Sequence, residues 1–218
     1  MSLTLKQISA FDLDHTLVSS NSSLLFYRYL IAKGFYRPLS ILRTLIYSIR
    51  HHYFNLSLTD LHILAFDEFL KGAPLPLVQE EVLQFLKKDF FRFLYYPTFS
   101  RLRRAQHAGH HTIILSNGPS FIVGPIAEYL EVSEWRSSHY SVDEEGNFDK
   151  VESVLLGIDK ASYIKTLIEK FKTKAKQVTA YSDSDLDLPF LEAAGTPVAV
   201  RPNSKLRKIS EQNAWEII

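Results

Sequence analysis

Two aspartates near the start of the chain, Asp12 and Asp14, have the spacing of paired functional carboxylates. They follow a short apolar run at residues 8–11, which is typical of a buried strand in an α/β sheet. Side chains two residues apart on a strand point to the same side, so the two carboxylates should lie close together. Their charges repel unless a cation or a shared proton compensates them, and Mg²⁺ prefers oxygen ligands. The pair therefore predicts a site that holds a cation or shares a proton.

Later parts of the chain carry further groups suited to the same chemistry. Ser116 and Asn117 follow one apolar strand, Asp183 and Asp187 follow another, and Lys160 lies near the start of a helix between them. Ligands of parallel sheets bind at the carboxyl ends of strands, so these groups should converge. Phosphoryl transfer through an aspartate needs such a set. It uses a carboxylate nucleophile, a second carboxylate for proton transfer, and positive charge and hydrogen-bond donors around the transferred group.

The elements that position these groups follow a regular order. Four helical segments without an intervening strand are predicted at 24–33, 38–50, 57–71 and 76–91. Further on, helices are predicted at 99–108, 120–130, 161–171 and 204–212, strands at 111–115, 177–181, 197–200 and 215–218, and a hairpin at 137–142 and 148–154. This alternation predicts an α/β fold with a doubly wound parallel sheet and an inserted helical unit.

The composition limits the classes of partner. The 218 residues suffice for one core domain with an insertion. With 25 Lys and Arg against 24 Asp and Glu, the net charge of +1 indicates neither a nucleic acid nor an acidic surface as partner. The chain has no cysteine, which excludes disulfide and thiol chemistry. No signal peptide or membrane-spanning segment is predicted, so we expect a cytoplasmic protein. The oligomeric state is not predicted.

Four motifs together resemble the haloacid dehalogenase superfamily of phosphatases, in the subgroup that includes phosphoserine phosphatase. In the family's order they are Asp12-Leu13-Asp14-His15-Thr16, Ser116-Asn117-Gly118, Lys160 and Ser182-Asp183-Ser184-Asp185-Leu186-Asp187. The last motif follows the pattern Gly-Asp-Ser-x-x-Asp, with Ser182 in place of glycine. The resemblance implies a Rossmann-like core formed by residues 1–18 and 92–218, and a helical cap at residues 19–91.

The resemblance also implies a role for each carboxylate at the metal. Asp12 is implied as the nucleophile and a metal ligand. Asp14 is implied as the general acid and base, with its backbone carbonyl on Mg²⁺. Asp183 is implied as a direct metal ligand. Mg²⁺ is thus the cofactor that the resemblance implies.

Five more positions receive supporting roles from the same resemblance. Ser116 is implied to bind the phosphoryl group, with support from Asn117. Lys160 is implied to stabilise negative charge in catalysis, and Asp187 to orient either the metal shell or Lys160. Thr16 is implied to order the loop after the nucleophile and to belong to the phosphate-binding set.

Three positions bear on substrate choice. Asn21 stands where phosphoserine phosphatases carry an acidic residue that faces the substrate ammonium, which makes phosphoserine a less favourable substrate. Arg43 and Arg50 share a face of the predicted helix 38–50. If that face points inward, it favours an anionic or polyhydroxyl substrate body. If it points outward, it is solvated or meets a partner.

The function that follows from these patterns is a Mg²⁺-dependent phosphomonoesterase that acts on a small phosphorylated metabolite through an aspartyl-phosphate. A phosphotransferase would use the same intermediate, and a phosphoserine phosphatase proper is a narrower alternative. A phospho-aspartate signalling or binding module is the alternative that is not an enzyme. Such modules are shorter and lack a large insertion after the first strand, which favours the enzyme.

Overall fold

A computed structural model describes residues 6–36, 57–88 and 90–218 of the chain. The strands in this part are β1 (Ile8–Phe11), β2 (His111–Pro119), β3 (Glu134–Val142), β4 (Phe148–Ser153), β5 (Val178–Ser182), β6 (Thr196–Ala199) and β7 (Glu216–Ile217). They form a sheet with the order β4-β3-β2-β1-β5-β6-β7. Neighbouring strands run parallel except β3 and β4, which form the predicted antiparallel hairpin. The predicted α/β class and parallel sheet are confirmed.

Helices flank this sheet and also occupy the segment after β1. They are α1 (Ser22–Ala32), α2 (Leu58–Phe69), α3 (Leu75–Lys88), α4 (Tyr96–His107), α5 (Ser120–Tyr129), α6 (Gly157–Lys170), α7 (Leu188–Glu192) and α8 (Ser204–Gln212). The predicted helix at 38–50 lies outside the described residues. The predicted end of a helix at residue 91 is wrong, because residues Phe90–Phe93 form a separate 3₁₀ turn.

Strand β1 lies in the middle of the sheet, and both of its faces are covered. Ile8 and Ala10 belong to one buried apolar cluster, and Phe11 belongs to the other. The ring of Phe11 stacks on that of Tyr181 in β5 at a centroid distance of 4.5 Å. A strand that is buried on both faces carries a nearly continuous apolar sequence, as observed before Asp12. This burial fixes the position of the loop that carries the two aspartates.

Strand β2 is longer than the sequence predicts. It continues beyond Leu115 to Pro119, and its register against β3 is irregular between these two residues. Extended but irregular backbone therefore carries the Ser116-Asn117-Gly118 motif. The prediction placed the strand end at Leu115 because polar residues and glycine usually mark a turn.

The segment with helices α1–α3 is attached to the sheet at two places. Where the chain leaves and rejoins the sheet region, the Ser19 N–H donates to the Phe93 carbonyl at 2.7 Å and the Tyr95 N–H donates to the Leu17 carbonyl at 2.8 Å. Farther on, the Gly72 N–H donates to the Phe148 carbonyl at 2.8 Å. Helices α1 and α2 are thereby held beside the carboxyl ends of the central strands. In the described part of the chain, no helix is long and apolar enough to cross a membrane.

Candidate active site

The carboxyl ends of β1, β2 and β5 open into one cavity of about 560 Å³. Six of the predicted site residues line it: Asp12, Asp14, Asn21, Asn117, Asp183 and Asp187. Ser116, Lys160 and Thr16 are buried. Arg43 and Arg50 lie outside the described residues. The structure therefore brings the four motifs together as the sequence predicts.

Lys160 joins two of the aspartates beneath the cavity. Its Nζ donates to Asp12 Oδ1 at 2.8 Å and to Asp187 Oδ2 at 2.7 Å, and the residue is only 1% exposed. Burial alone would lower the pKa of Lys160, but the adjacent Asp12 and Asp187 carboxylates raise it above its ordinary value. Lys160 is therefore a fixed buried cation next to Asp12, not an ordinary surface lysine.

Two small residues that the sequence analysis did not assign to the site place Lys160 and Asp187. Gly157 is the first residue of α6 and lies against the motif that contains Leu186. A Cβ at position 157 would lie 2.2 Å from the Leu186 carbonyl oxygen. Only glycine permits this approach. Ser182, which replaces the family's glycine, donates its hydroxyl to Asp187 Oδ2 at 2.7 Å. The departure from the family pattern at position 182 was the sequence signal for this contact.

The Asp12 and Asp183 carboxylates lie in a region with more negative charge than Lys160 compensates. Burial raises the pKa of Asp12 well above its ordinary value, Lys160 opposes this, and the charges of Asp187 and Asp183 add to it. Burial likewise raises the pKa of Asp183 to about 6. Asp12 Oδ2 accepts no hydrogen bond from the described residues. This oxygen-rich, uncompensated charge fits a hard divalent cation.

The donor set supplies only part of the shell of such a cation. In residues 6–36, 57–88 and 90–218, no group of three or more histidine or acidic side chains has an arrangement that could hold a metal. The two carboxylates and the backbone carbonyl that the resemblance implies would leave positions for water and for a ligand oxygen. Mg²⁺ usually keeps such open positions, because it loses its waters reluctantly.

Asp14 is held by the start of helix α1. Asn21 Nδ2 donates to Asp14 Oδ2 and the Ser22 N–H donates to Asp14 Oδ1, both at 2.8 Å. Burial raises the pKa of Asp14, although its hydrogen bonding with Ser22 acts the other way. A raised pKa favours the protonated carboxyl that a general acid needs. This link between Asp14 and α1 was not predicted from the sequence.

Asn21 has two contacts within the protein. Besides its contact with Asp14, its Oδ1 accepts the Leu24 N–H at 2.9 Å and so caps α1. Asn21 also lines the cavity. A contact of Asn21 with the substrate therefore stays a prediction.

The Ser116 hydroxyl accepts one hydrogen bond and donates none among the described residues. The Gly118 N–H donates to Ser116 Oγ at 3.0 Å, and Ser116 is fully buried. A Cβ on Gly118 would lie 3.3 Å from that Oγ and 3.1 Å from Val123 Cγ2, so a larger residue would crowd the hydroxyl. The Ser116 hydroxyl proton remains available for an anionic oxygen.

Thr16 lies against Asp183 and does not line the cavity wall. Its Oγ1 is 3.4 Å from Asp183 Oδ1, a long hydrogen bond between the first and last motifs. The neighbouring His15 has a positive φ of 58°, which histidine tolerates better than most residues and which turns the loop sharply after Asp14. These contacts agree with the implied ordering of the loop. A direct contact of Thr16 with phosphate stays a prediction.

The wall that α1, α2 and β3 contribute to the cavity was not predicted from the sequence. His62 Nδ1 and the Tyr140 hydroxyl are hydrogen-bonded at 2.8 Å on this wall. Burial lowers the pKa of His62 to about 4, so its imidazole is neutral at neutral pH. Most other side chains of this wall are aromatic or aliphatic. Helical periodicity places apolar residues on one face but does not show whether that face is packed or borders a cavity.

Comparison with known proteins places this site in a family. A histidinol-phosphatase of Neisseria meningitidis is 26% identical over 226 aligned positions, which cover 98% of this chain and 99% of the relative. A phosphoserine phosphatase of Mycobacterium tuberculosis is 27% identical over 214 positions, covering 95% of this chain and 68% of the relative. A solved structure from Bordetella pertussis has the same fold, with a TM-score of 0.85, 20% identity and 99% coverage of both chains.

The family itself follows from a match to most of the chain. Residues 10–192 match the model of haloacid dehalogenase-like hydrolases. This range contains the four motifs from which the family was predicted, so that prediction is confirmed. The chain belongs to the haloacid dehalogenase-like hydrolase family.

Proposed function

We propose that the protein is a Mg²⁺-dependent phosphomonoesterase that hydrolyses a small phosphate ester through an aspartyl-phosphate on Asp12. The arrangement of the Asp12 carboxylate carries this proposal. Lys160 fixes one of its oxygens at 2.8 Å, while the other accepts no hydrogen bond from the described residues and the side chain lines the cavity. A carboxylate held in this way is oriented for attack. The two relatives named as phosphatases support the same chemistry.

In the first half of the reaction, Asp12 takes the phosphoryl group from the ester. A carboxylate oxygen of Asp12 bonds to phosphorus as the bond from phosphorus to the alcohol oxygen breaks. Asp14 gives its proton to that alcohol oxygen, and the raised pKa of the buried Asp14 suits this role. The Lys160 ammonium and the Ser116 hydroxyl stabilise the negative charge of the group in transfer.

In the second half, water releases the phosphate. The Asp14 carboxylate, now without its proton, accepts a proton from a water molecule. The water oxygen then bonds to phosphorus, and the bond between phosphorus and the Asp12 oxygen breaks. Free phosphate leaves, and both aspartates return to their starting state. The contacts from Asn21 and Ser22 keep the Asp14 carboxyl in one orientation through both proton transfers.

The metal would bind among the same carboxylates. The Asp12 and Asp183 side chains and the Asp14 backbone carbonyl would hold Mg²⁺, in keeping with the uncompensated charge at Asp12 and Asp183. When bound, Mg²⁺ neutralises negative charge on the phosphoryl oxygens and orients the ester. Asp187 would act indirectly, because its described contacts are with Lys160 and Ser182.

The helical segment is proposed as a cap at residues 19–91, inserted into a core of residues 1–18 and 92–218. The hydrogen bonds of Ser19 with Phe93 and of Tyr95 with Leu17 occur at the two crossing points of the chain. Helices α1 and α2 supply one part of the cavity wall, and the strand ends supply the other. A substrate would therefore be enclosed between cap and core.

Removal of the metal provides a direct test of the proposed cofactor. Exhaustive treatment with EDTA, followed by removal of the chelator, should abolish phosphate release, and added Mg²⁺ should restore it. Without the cation, the repulsion between the substrate dianion and the aspartates would be uncompensated. Phosphate release from a stable ester should be measured before chelation, after it, and after addition of Mg²⁺ or Ca²⁺. Full activity in the chelated protein would contradict the metal dependence.

The role of Asp14 can be separated from that of Asp12 by the choice of leaving group. Asp14→Asn cannot supply a proton, so it should slow attack on an alkyl phosphate by roughly 10²–10⁴-fold. An aryl phosphate, whose leaving group needs little protonation, should lose less. Single-turnover rates for ethyl and 4-nitrophenyl phosphate would measure the first step on both esters. Equal losses on the two esters would show that Asp14 does not protonate the leaving group.

A further inference from the structure

One face of helix α2 lines the cavity. Leu58, Leu61, Ala65 and Phe69 lie on this face at helical spacing, together with His62. The face is only partly packed against other side chains, since most of these residues are neither fully buried nor exposed. An apolar surface that is continuous with a catalytic site is where the body of a substrate would lie.

Aromatic contacts hold this wall in place. The rings of Phe66 and Tyr140 meet edge to face at 5.3 Å, and those of Tyr27 and Phe69 lie 4.5 Å apart. The Tyr36 hydroxyl donates to the Phe69 carbonyl, so it is already used within the protein. Such a cluster of aromatic side chains presents aromatic carbon rather than polar groups to the cavity.

Among the described residues that line the cavity, the acidic side chains lie at its catalytic end. The described residues that line the cavity include no Lys, Arg or Glu, and the acidic ones are Asp12, Asp14, Asp183 and Asp187. His62 is neutral because burial lowers its pKa. A substrate ammonium or carboxylate placed on the α2 wall would lose its water without gaining a charged partner from the described residues of that wall.

The polar capacity of the wall suits one uncharged group. His62 Nδ1 and the Tyr140 hydroxyl are hydrogen-bonded to each other, and the His62 imidazole has no other hydrogen-bond partner in the described ranges. Either the His62 Nδ1 or the Tyr140 hydroxyl can be the donor of this bond. In both cases the pair retains one further donor and one further acceptor. The cavity volume of about 560 Å³ lies within the range of about 300–1,000 Å³ that is usual for drug-sized ligands. A phosphoryl group on a two- or three-carbon body would leave much of this space unfilled.

We infer that this cavity selects phosphate esters whose alcohol part is bulky, uncharged and largely apolar, of about the size of an aromatic ring with a short chain. The inference rests on the proposed phosphomonoesterase activity and adds the substrate class. It implies that phosphoserine, which places an ammonium and a carboxylate on this wall, is a poor substrate.

The test uses primary alkyl esters. The leaving alcohols of the three esters other than phosphoserine differ little in acidity, so that differences in their rates report the substrate body. The serine hydroxyl is more acidic, which by itself favours phosphoserine. Phosphate release by the full-length protein in Mg²⁺ is compared for ethyl phosphate, 3-phenylpropyl phosphate, 5-phosphooxypentanoate and phosphoserine. The kcat/KM for 3-phenylpropyl phosphate should exceed that for ethyl phosphate by at least about tenfold, because the ring leaves water on binding. The kcat/KM for 3-phenylpropyl phosphate should also exceed the values for 5-phosphooxypentanoate and phosphoserine, whose alcohol parts are charged.

A substitution in the wall tests the location of this preference. Ala65→Phe should fill part of the cavity and lower the ratio of kcat/KM for 3-phenylpropyl to ethyl phosphate by about tenfold or more. Ala65→Leu should lower it in the same direction by less. Ile63 lies on the same helix, is 42% exposed and does not line the cavity. Ile63→Phe is therefore the matched control, and it should leave the ratio unchanged.

The outcomes separate this inference from the proposed function. A higher kcat/KM for phosphoserine or the carboxylate ester than for 3-phenylpropyl phosphate would overturn the inference, as would the same ratio in Ala65→Phe, Ala65→Leu and Ile63→Phe. In those cases hydrolysis that still depends on Asp12 would leave the proposed function intact. If no ester releases phosphate, or if Asp12→Asn releases it equally well, the proposed function and the inference both fail.

Discussion

Asp12→Asn should lower turnover of any phosphate ester by roughly a thousandfold or more. The substitution keeps the size of the side chain and removes the negative oxygen that attacks phosphorus. It also removes the ionic partner that Lys160 contacts at 2.8 Å. Phosphate release under saturating substrate and Mg²⁺ measures the effect, and circular dichroism verifies that the variant is folded.

A matched control separates this loss from a general effect of replacing an acid by an amide. Asp149 lies on β4, is exposed and does not line the cavity. Asp149→Asn should keep the activity of the unmodified protein. If freshly purified Asp12→Asn, with the asparagine verified by mass spectrometry, hydrolyses esters at nearly the original rate, Asp12 is not the nucleophile.

Lys160→Met should lower both activity and stability. Methionine has a similar length but no charge, so Asp12 and Asp187 would face each other in the protein interior without the ammonium that joins them. Removal of one partner from a buried ion pair costs about 3–5 kcal/mol of unfolding free energy. The loss of a positive charge beside the transferred phosphoryl group should reduce turnover by about 10²-fold or more.

Urea unfolding and turnover should be measured on the same preparations, with turnover at a temperature where the variant is folded. Lys165 lies on the same helix as Lys160 and is exposed, so Lys165→Met is a suitable control. The control should change neither the unfolding midpoint nor the rate. An Lys160→Met protein with the stability and activity of that control would contradict the role of the buried ion pair.

The positions of Asp12 and Asp183 can be predicted from the sequence for a simple physical reason. Strands that are buried on both faces have nearly continuous apolar sequences. Polar residues directly after such strands lie at the carboxyl ends of the strands. The predicted helix starts at 24, 57 and 204 lie within two residues of the observed starts, where Asn21, Ser57 and Asn203 each accept the backbone N–H of a residue three positions on. The predicted starts at 99 and 161 are three and four residues late.

The contacts that complete the site could not be predicted in this way. Lys160 meets Asp12 across 148 residues of sequence, and this contact depends on tertiary packing, including that of α6 against the Leu186 segment. The use of Asn21 as a donor to Asp14 depends on the exact turn after the first motif. Local patterns show which face of a helix or strand a side chain lies on. They do not show which residues distant in sequence come into contact.

The apolar wall of the cavity could not be predicted from the sequence either. Leu61, Ala65 and Phe69 have the spacing of an ordinary core-facing helix stripe. Whether such a stripe packs tightly or borders a space depends on the volumes of the residues opposite, here Phe121 and Tyr140 among others. The predicted basic face with Arg43 and Arg50 lies outside the described residues and stays a prediction.

Detection of the covalent intermediate tests the central claim most directly. The protein should be mixed with a saturating ester in Mg²⁺, quenched in acid within the first turnovers, digested and analysed by mass spectrometry. We predict one phosphate on the peptide that contains Asp12 and Asp14, located on Asp12 by fragmentation and removed by hydroxylamine. The same peptide from Asp12→Asn should carry none. If the unmodified protein accumulates product in a verified burst while this peptide stays unphosphorylated, transfer through Asp12 is contradicted.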